Sequence, residues 1–318
     1  MTANLPFQLL DPNLPVAERP ARLQLLAKWS PPRALSSHAV AAASFVPGDD
    51  LVTAINVALR LGAPLLLTGE PGTGKTQAAH YVARYFGLEP DEGFFQVDIR
   101  STSTAEELLY HFDQVAYFRS AYEAREGGAK KTPADFVVKG ALWRALERRA
   151  PTVVLIDEID KAPRDLPNDL LGVLDQRRFR CREYPEGAQW IAAPPDAPPP
   201  LVLITSNSER RLPEPFLRRC VFHHLELTED LLRRAVAARQ ADFPALSERD
   251  REAALRHFLE LRKLRLRKPP ATAELLLWLV VLAGLPPRQL ADLDRAPLSA
   301  LPALGVLVKD REDLRLLR

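Results

Sequence analysis

The residues best suited to chemistry lie in four short groups of a 318-residue chain. The first, Gly69-Glu70-Pro71-Gly72-Thr73-Gly74-Lys75-Thr76, fills every fixed position of the G-x-x-x-x-G-K-[ST] phosphate-loop pattern. Glycines there let the backbone bend until successive N–H groups point at phosphate oxygens, and the positive end of a following helix adds to the field. Lys75 then reaches the β- and γ-phosphates of a nucleotide, while the Thr76 hydroxyl ligates Mg²⁺. The second group is Asp157-Glu158, the third Asn207 and the fourth the pair Arg218-Arg219. Phosphoryl transfer needs positioning and charge compensation rather than covalent chemistry, and these are side chains that provide both.

Each group needs an element to hold it. Pro64-Leu65-Leu66-Leu67-Thr68 is short and apolar, as a buried parallel strand is, and it runs straight into the glycine loop. Beyond the loop, Ala78, Ala79, Val82, Ala83 and Phe86 recur at helical spacing until Gly87 offers a stop. Val153-Val154-Leu155-Ile156 predicts a second buried strand that delivers Asp157-Glu158 toward the loop. An acidic pair at a strand end can be plain surface charge; four apolar residues before it and a phosphate loop upstream favour the chemical reading. Leu201-Val202-Leu203-Ile204 predicts a third strand, with Thr205-Ser206-Asn207 at its carboxyl end, the edge where open parallel sheets bind ligands. A strand-end Asn is more often a turn former, and only its place relative to the other two groups makes Asn207 a contact to the γ-phosphate or to water.

Composition sets the outer bounds. Hydrophobic residues make up 47% of the chain, enough for a sizeable core, and the formal net charge of +2 gives no overall basic field toward nucleic acid or membrane. The 2 cysteines, Cys181 and Cys220, make no disulfide framework and suit a reducing compartment. Residues 1–10 lack a signal-peptide pattern, and the longest apolar run, Leu275 to Ala283, falls well short of the ~18 residues that span a bilayer. The expectation is a soluble cytoplasmic protein with no membrane span.

Residues 1–47, rich in proline, read as an irregular N-terminal arm. Residues 48–227 alternate strands and helices, the pattern of an α/β parallel sheet flanked by helices; residues 228–318 carry helical signals only and predict a small all-helical domain. Within the first of these, Asp49 and Asp50 are expected to cap a helix ending at Gly62, residues 105–112 to form a short helix, and the charged stretch 119–135 to form an inserted surface segment. Phe179 to Ile191 reads as a β-hairpin, and Val221 to Leu227 as the last strand. Thr228 and Ser247 read as N-caps, and Thr272 as opening an apolar helix. The run Arg262 to Lys268 holds five cations and no acid, either a solvated helix end or a local phosphate-attracting field.

Taken in order, Gly69 to Thr76, Val153 to Glu158, Asn207 after a strand and Arg218-Arg219 are similar to the Walker A, Walker B, sensor 1 and arginine finger of AAA+ ATPases. The resemblance covers residues 48 to about 285, and within that family the chain looks most like the MoxR group. The "GEPGTGKTQ" loop with its trailing Gln77, the Lys139-Gly140-Ala141-Leu142 segment and the hairpin before sensor 1 carry this. The resemblance implies an ATPase that assembles as a homo-oligomeric ring, usually a hexamer. Such rings bind ATP and Mg²⁺ between subunits and remodel a protein partner, often one with a von Willebrand A domain.

By the same resemblance, residues 70–77 contact the nucleotide, Asp157 holds Mg²⁺ through water with Thr76, and Glu158 polarises the attacking water. Asn207 contacts phosphate or water, and Arg218 or Arg219 enters the neighbouring site. The helical region becomes a lid. The chain departs from the pattern where the lid's sensor 2 arginine is expected, because Ala273 fills that slot; Lys268 or Arg267 is the candidate replacement. Two other functions fit the same motifs: a nucleic-acid motor, favoured by the basic run, and a nucleotide-gated scaffold with little turnover, favoured by the missing arginine.

Overall fold

The computed structural model describes residues 15–27, 41–125, 129, 131–207 and 209–317. The rest of the N-terminal arm, 1–14 and 28–40, lies outside the described residues. After a 3₁₀ turn at Val16–Glu18 the arm holds α1 (Arg19–Ala27). Pro20 sits in the first turn of α1, where a missing N–H has no helical partner to lose. Helix α2 (Asp49–Leu61) starts after Gly48; Asp49 and Asp50 lie in its first turn rather than at the cap, and there their charge complements the helix dipole.

The continuous apolar runs become one parallel sheet. Strand β1 (Leu65–Gly69) leads through the glycine loop into α3 (Lys75–Tyr85), and β2 (Phe94–Asp98) follows. Residues 105–112 are not one helix. Thr104 and Glu107 form a capping box on α4 (Ala105–Leu109), after which the chain extends as β3 (Tyr110–Phe112). Strand β3 pairs antiparallel with β4 (Val137–Lys139), and α5 (Gln114–Arg125) lies between them in sequence. The expected surface segment is therefore part helix, and its two ends are joined by a small hairpin.

Next come α6 (Ala141–Glu147), β5 (Val153–Asp157) and α7 (Leu166–Gln176). Strands β6 (Arg178–Arg180) and β7 (Trp190–Ala192) form the expected hairpin. Then follow β8 (Leu201–Ser206), α8 (Glu214–Leu217) and β9 (Val221–Leu225), the last ending two residues before the expected Leu227.

The five-stranded sheet has the order β2-β5-β8-β1-β9, every pair parallel. Side chains alternate between its faces, so Phe95, Leu66, Val154, Ile156, Val202 and Ile204 share one core with α6 and α7. Helices α2 and α3 lie against β1 and its neighbours. Burying side chains of this size stabilises by roughly 1.5–3 kcal/mol each, which is why β1, β5 and β8 are continuous apolar runs rather than alternating ones.

The C-terminal region is helical: α9 (Glu229–Ala238), α10 (Glu248–Lys263), α11 (Thr272–Ala283), α12 (Pro287–Leu290) and α13 (Arg311–Leu316). The hydroxyls of Thr228 and Ser247 accept from the N–H groups of Leu231 and Asp250, as helix-capping side chains do. Phe243, Phe258 and Trp278 fill its core, and the Trp278 indole N–H donates to the Pro302 carbonyl at 2.8 Å. Two compact units result. One comprises Pro47–Glu70 and Lys75–Leu225; the other holds Glu226–Arg318, Pro71–Gly74 and the described part of Met1–Val46. No described helix is long and apolar enough to cross a membrane.

Candidate functional site

Parallel register places the carboxyl ends of β1, β5 and β8 at one level, with Thr68 beside Ser206 and Ile156 beside Ile204. The phosphate loop leaves β1, the acidic pair ends β5, and Asn207 follows β8. Gly72 and Gly74 adopt φ of 77° and 98°, a region that a side chain makes costly, so glycine at these two positions is a backbone requirement.

Lys75 is buried and its ammonium donates to the carbonyls of Gly69 and Glu70, each at 2.8 Å. Burial holds its pKa below the usual lysine range despite the pull of Asp157, Asp160, Glu158 and Glu70. A cation desolvated in this way gains more from an anionic ligand than an exposed one does. The Thr76 hydroxyl donates to both carboxylate oxygens of Asp157 at 3.1 Å, so the loop helix and the end of β5 meet through hard oxygen donors. These are the ligands Mg²⁺ prefers, and Thr76 and Asp157 are the residues that would hold it.

Beside them stands Glu158, whose φ of 59° and ψ of 48° are left-handed for a non-glycine residue, a conformation that costs of order 1–3 kcal/mol and persists only where neighbours enforce it. Its N–H donates to the Thr205 hydroxyl at 2.8 Å, and its carbonyl accepts from Lys161 N–H at 3.0 Å. The same Thr205 hydroxyl donates to Asp157. The Asn207 side-chain amide reaches Glu158 Oε1 at 3.4 Å, so the structure brings these two candidate residues together.

Three residues in this network escaped sequence reasoning. Thr205 looks like any β-branched strand residue, yet its buried hydroxyl braces both acids. Asp160, also buried, accepts from the backbone N–H groups of Asn207 at 3.2 Å and Glu209 at 3.0 Å, which ties the chain after β8 to the turn after β5. Lys161 forms an ion pair with Glu158. Only Lys161 had a readable signal, a cation three residues after an acid.

Among the described residues, Arg218 and Arg219 are not brought into contact with this cluster. Arg218 is exposed and pairs with Glu214, while Arg219 Nε lies 2.6 Å from Asp175 of α7. Gln77 sits half-buried in the first turn of α3, and Glu70 and Pro71 are exposed. Arg267 and Lys268 belong to the helical unit, where their backbone N–H groups donate to buried Asp313 at 2.8 and 3.1 Å. Asp310 is held below the usual carboxylate range by the Glu312 N–H, with the Asp313 N–H and the charges of Arg267 and Lys268 adding to the shift.

The family described as the AAA domain of the dynein-related subfamily matches residues 64–220, which take in the phosphate loop, the acidic pair, Asn207 and the Arg pair. This region is an AAA+ ATPase domain. Relatives of known role agree with that placement. The mitochondrial Lon protease homolog of Phaeodactylum tricornutum is 32% identical over 165 residues, 50% of this chain and 16% of that protein. Chaperone protein ClpC4 of Oryza sativa is 31% identical over 117 residues, 37% of this chain and 11% of the relative. Chaperone protein ClpB of Wolinella succinogenes is 31% identical over 114 residues, 36% and 11% respectively. The chain thus spans less than a fifth of the length of these relatives. What the rest of each relative does is not carried by that match.

Proposed function

We propose that this chain is a MoxR-like AAA+ ATPase that binds Mg²⁺·ATP on residues 70–77 and hydrolyses it at an interface between subunits. The released energy remodels a protein partner, for which a von Willebrand A domain is the expected type. The observation that carries the reading is the convergence of Lys75, Thr76, Asp157, Glu158 and Asn207 on one sheet edge. Lys75 compensates phosphate charge, Thr76 and Asp157 hold Mg²⁺, and Glu158 turns a water toward the γ-phosphate with Asn207 beside it. Mg²⁺, when bound, withdraws electron density from the phosphate oxygens. Arg218 or Arg219, both on the surface, supplies a finger to the adjacent protomer of a ring, expected to be a hexamer in the cytoplasm. Residues 48–227 form the nucleotide-binding domain and 228–318 the lid, with Lys268 or Arg267 in place of the usual sensor 2 arginine.

Two variants test this. Lys75→Ala removes the cation aimed at the phosphates and abolishes tight binding of fluorescent ATP. Glu158→Gln keeps Mg²⁺·ATP binding and slows turnover by at least ~10²-fold. Near-normal affinity in the first, or turnover within a few-fold of wild type in the second, sinks the assignment.

A further inference from the structure

The hairpin of β6 and β7 turns one face to the core and the other to water. Phe179 and Cys181 are buried, and the Phe179 ring lies 6.3 Å from that of Tyr110 and 5.0 Å from that of Trp143. The strand period of two puts Arg178 and Arg180 on the opposite face, where both are exposed. Trp190, directly across from Arg180 in the register, is 61% exposed beside them. The hairpin is firmly rooted: the Cys181 N–H donates to the Gln189 carbonyl at 2.8 Å, and the Arg182 N–H to the Tyr110 hydroxyl at 3.4 Å.

The groups that hold these two arginines are neutral. Elsewhere in the same unit, Arg144, Arg149, Arg218 and Arg219 pair with Asp91, Asp196, Glu214 and Asp175. Arg178 Nε donates instead to Gln176 Oε1 at 3.1 Å, and Arg180 Nε to Gln189 Oε1 at 2.8 Å. The Arg178 guanidinium also lies over the Trp190 ring, 5.0 Å from its centroid. An amide oxygen or an indole face orients a guanidinium without cancelling its charge. Of the hairpin's acids, Glu183 accepts from the Cys181 thiol at 3.4 Å and Glu186 belongs to the turn. Like charges side by side on one strand face repel, and an anion laid across them relieves that cost.

We propose that the outer face of this hairpin docks an acidic, extended segment of a partner protein, with carboxylates on Arg178 and Arg180. Alternate residues of an extended peptide stand roughly 7 Å apart, the interval that separates the two arginines along β6. The terminal nitrogens of Arg178 and Nη1 of Arg180 make no hydrogen bond among the described residues, so they remain to donate to carboxylate oxygens. A nucleic-acid strand fits less well. Its bases need an open aromatic face, one side of Trp190 is covered by Arg178, and a formal net charge of +2 gives no long basic track. The proposal rests on the remodelling function above only in taking the segment from a protein to be remodelled; docking itself needs no hydrolysis.

The test is fluorescence anisotropy of the full chain without nucleotide. The probes are a fluorescein-labelled peptide of alternating glutamate and threonine, its glutamine counterpart, and an oligothymidylate of equal length. The glutamate peptide binds and the glutamine peptide does not. Arg178→Gln with Arg180→Gln weakens binding roughly three- to twentyfold, the product of two exposed pairs. Arg288→Gln with Arg295→Gln makes the same charge change on two exposed arginines of the helical unit and leaves the Kd near wild type. Far-UV circular dichroism and ATP turnover of the hairpin variant match wild type, which separates lost docking from lost folding. If that variant does not fold, Arg180→Gln alone takes its place, with a loss of about two- to fivefold. No binding of the glutamate peptide, equal affinity for the glutamine peptide, an unchanged Kd in the hairpin variant, or equal losses from both double variants overturns the proposal. Tighter binding of the oligothymidylate through the same two arginines overturns it in favour of nucleic acid. A chain that holds the glutamate peptide but does not hydrolyse ATP overturns the remodelling function and leaves the docking face standing.

Discussion

Thr205 offers the sharpest test of how the site is held. Its single hydroxyl, 1% exposed as a residue, donates to the Asp157 carboxylate and accepts from the Glu158 N–H at 2.8 Å. Thr205→Val preserves shape and removes both bonds. Loss of a hydrogen bond to a charged group is worth about 1.5–3 kcal/mol, and a buried N–H left without a partner costs about 1–3 kcal/mol. Asp157 is only partly buried, so the lower half of the first range applies and the sum is about 3 kcal/mol. For a unit the size of Pro47–Leu225 that is a fall of about 6–12 °C in Tm. The functional effect is separate. Asp157 loses the partner that orients it, and loss of such a partner weakens metal use by about 10–100-fold, so the Mg²⁺ concentration for half-maximal turnover rises by that factor. Thr205→Ser keeps the hydroxyl and gives up one methyl, a change of about 1 kcal/mol with Mg²⁺ dependence intact. Thermal unfolding and a Mg²⁺ titration of ATPase rate measure both. A valine variant within about 0.5 kcal/mol of wild type, with unaltered Mg²⁺ dependence, refutes the bracing role, and so does a serine variant that is equally damaged.

Other outcomes rest on the same geometry. The double variant Arg218→Ala with Arg219→Ala binds ATP without hydrolysing it, and mixing it with Lys75→Ala restores part of the activity because complete sites form at mixed interfaces; no recovery with confirmed subunit exchange argues against a finger in trans. Desolvation pushes the Cys181 and Cys220 thiols up to about 11 and about 12, so iodoacetamide at pH 8 labels neither in the native protein and both in urea, and mass spectrometry of native samples showing rapid labelling contradicts this burial. Lys268→Ala lowers turnover more than Arg262→Ala, whose guanidinium is occupied by the Pro270 carbonyl at 2.6 Å; equal small losses in steady-state assays leave the basic run as a solvated face.

The features legible in the sequence are local ones. The phosphate loop, the acidic pair and Asn207 each follow an uninterrupted apolar run, and a parallel sheet necessarily delivers such run-endings to one edge. The caps at Thr228 and Ser247 are equally local. The features that escape depend on contacts across long separations. Nothing in the letters around Thr205 says that its hydroxyl faces an acid 48 positions earlier. Strands β3 and β4 are three residues each, too short for alternation to register, and their pairing spans the whole of α5. Helix α1 is hidden by the prolines around it, although a proline in the first turn is compatible with a helix.

The order of the sheet has a consequence for how the molecule opens. Strands β1, β5 and β8 are each hydrogen-bonded on both sides, while β2 and β9 are the edges of the five-stranded sheet. An amide in a doubly flanked strand exchanges with deuterium only when its neighbours separate, so Leu66, Leu155 and Leu203 belong to the last cooperative unit of this sheet to open. The loop ends that carry Lys75, Glu158 and Asn207 are thus rooted in the slowest-exchanging part of the domain, and edge fraying at β9 or β2 leaves them in place. Warming should therefore remove nucleotide binding together with the protection of the central strands, not before it.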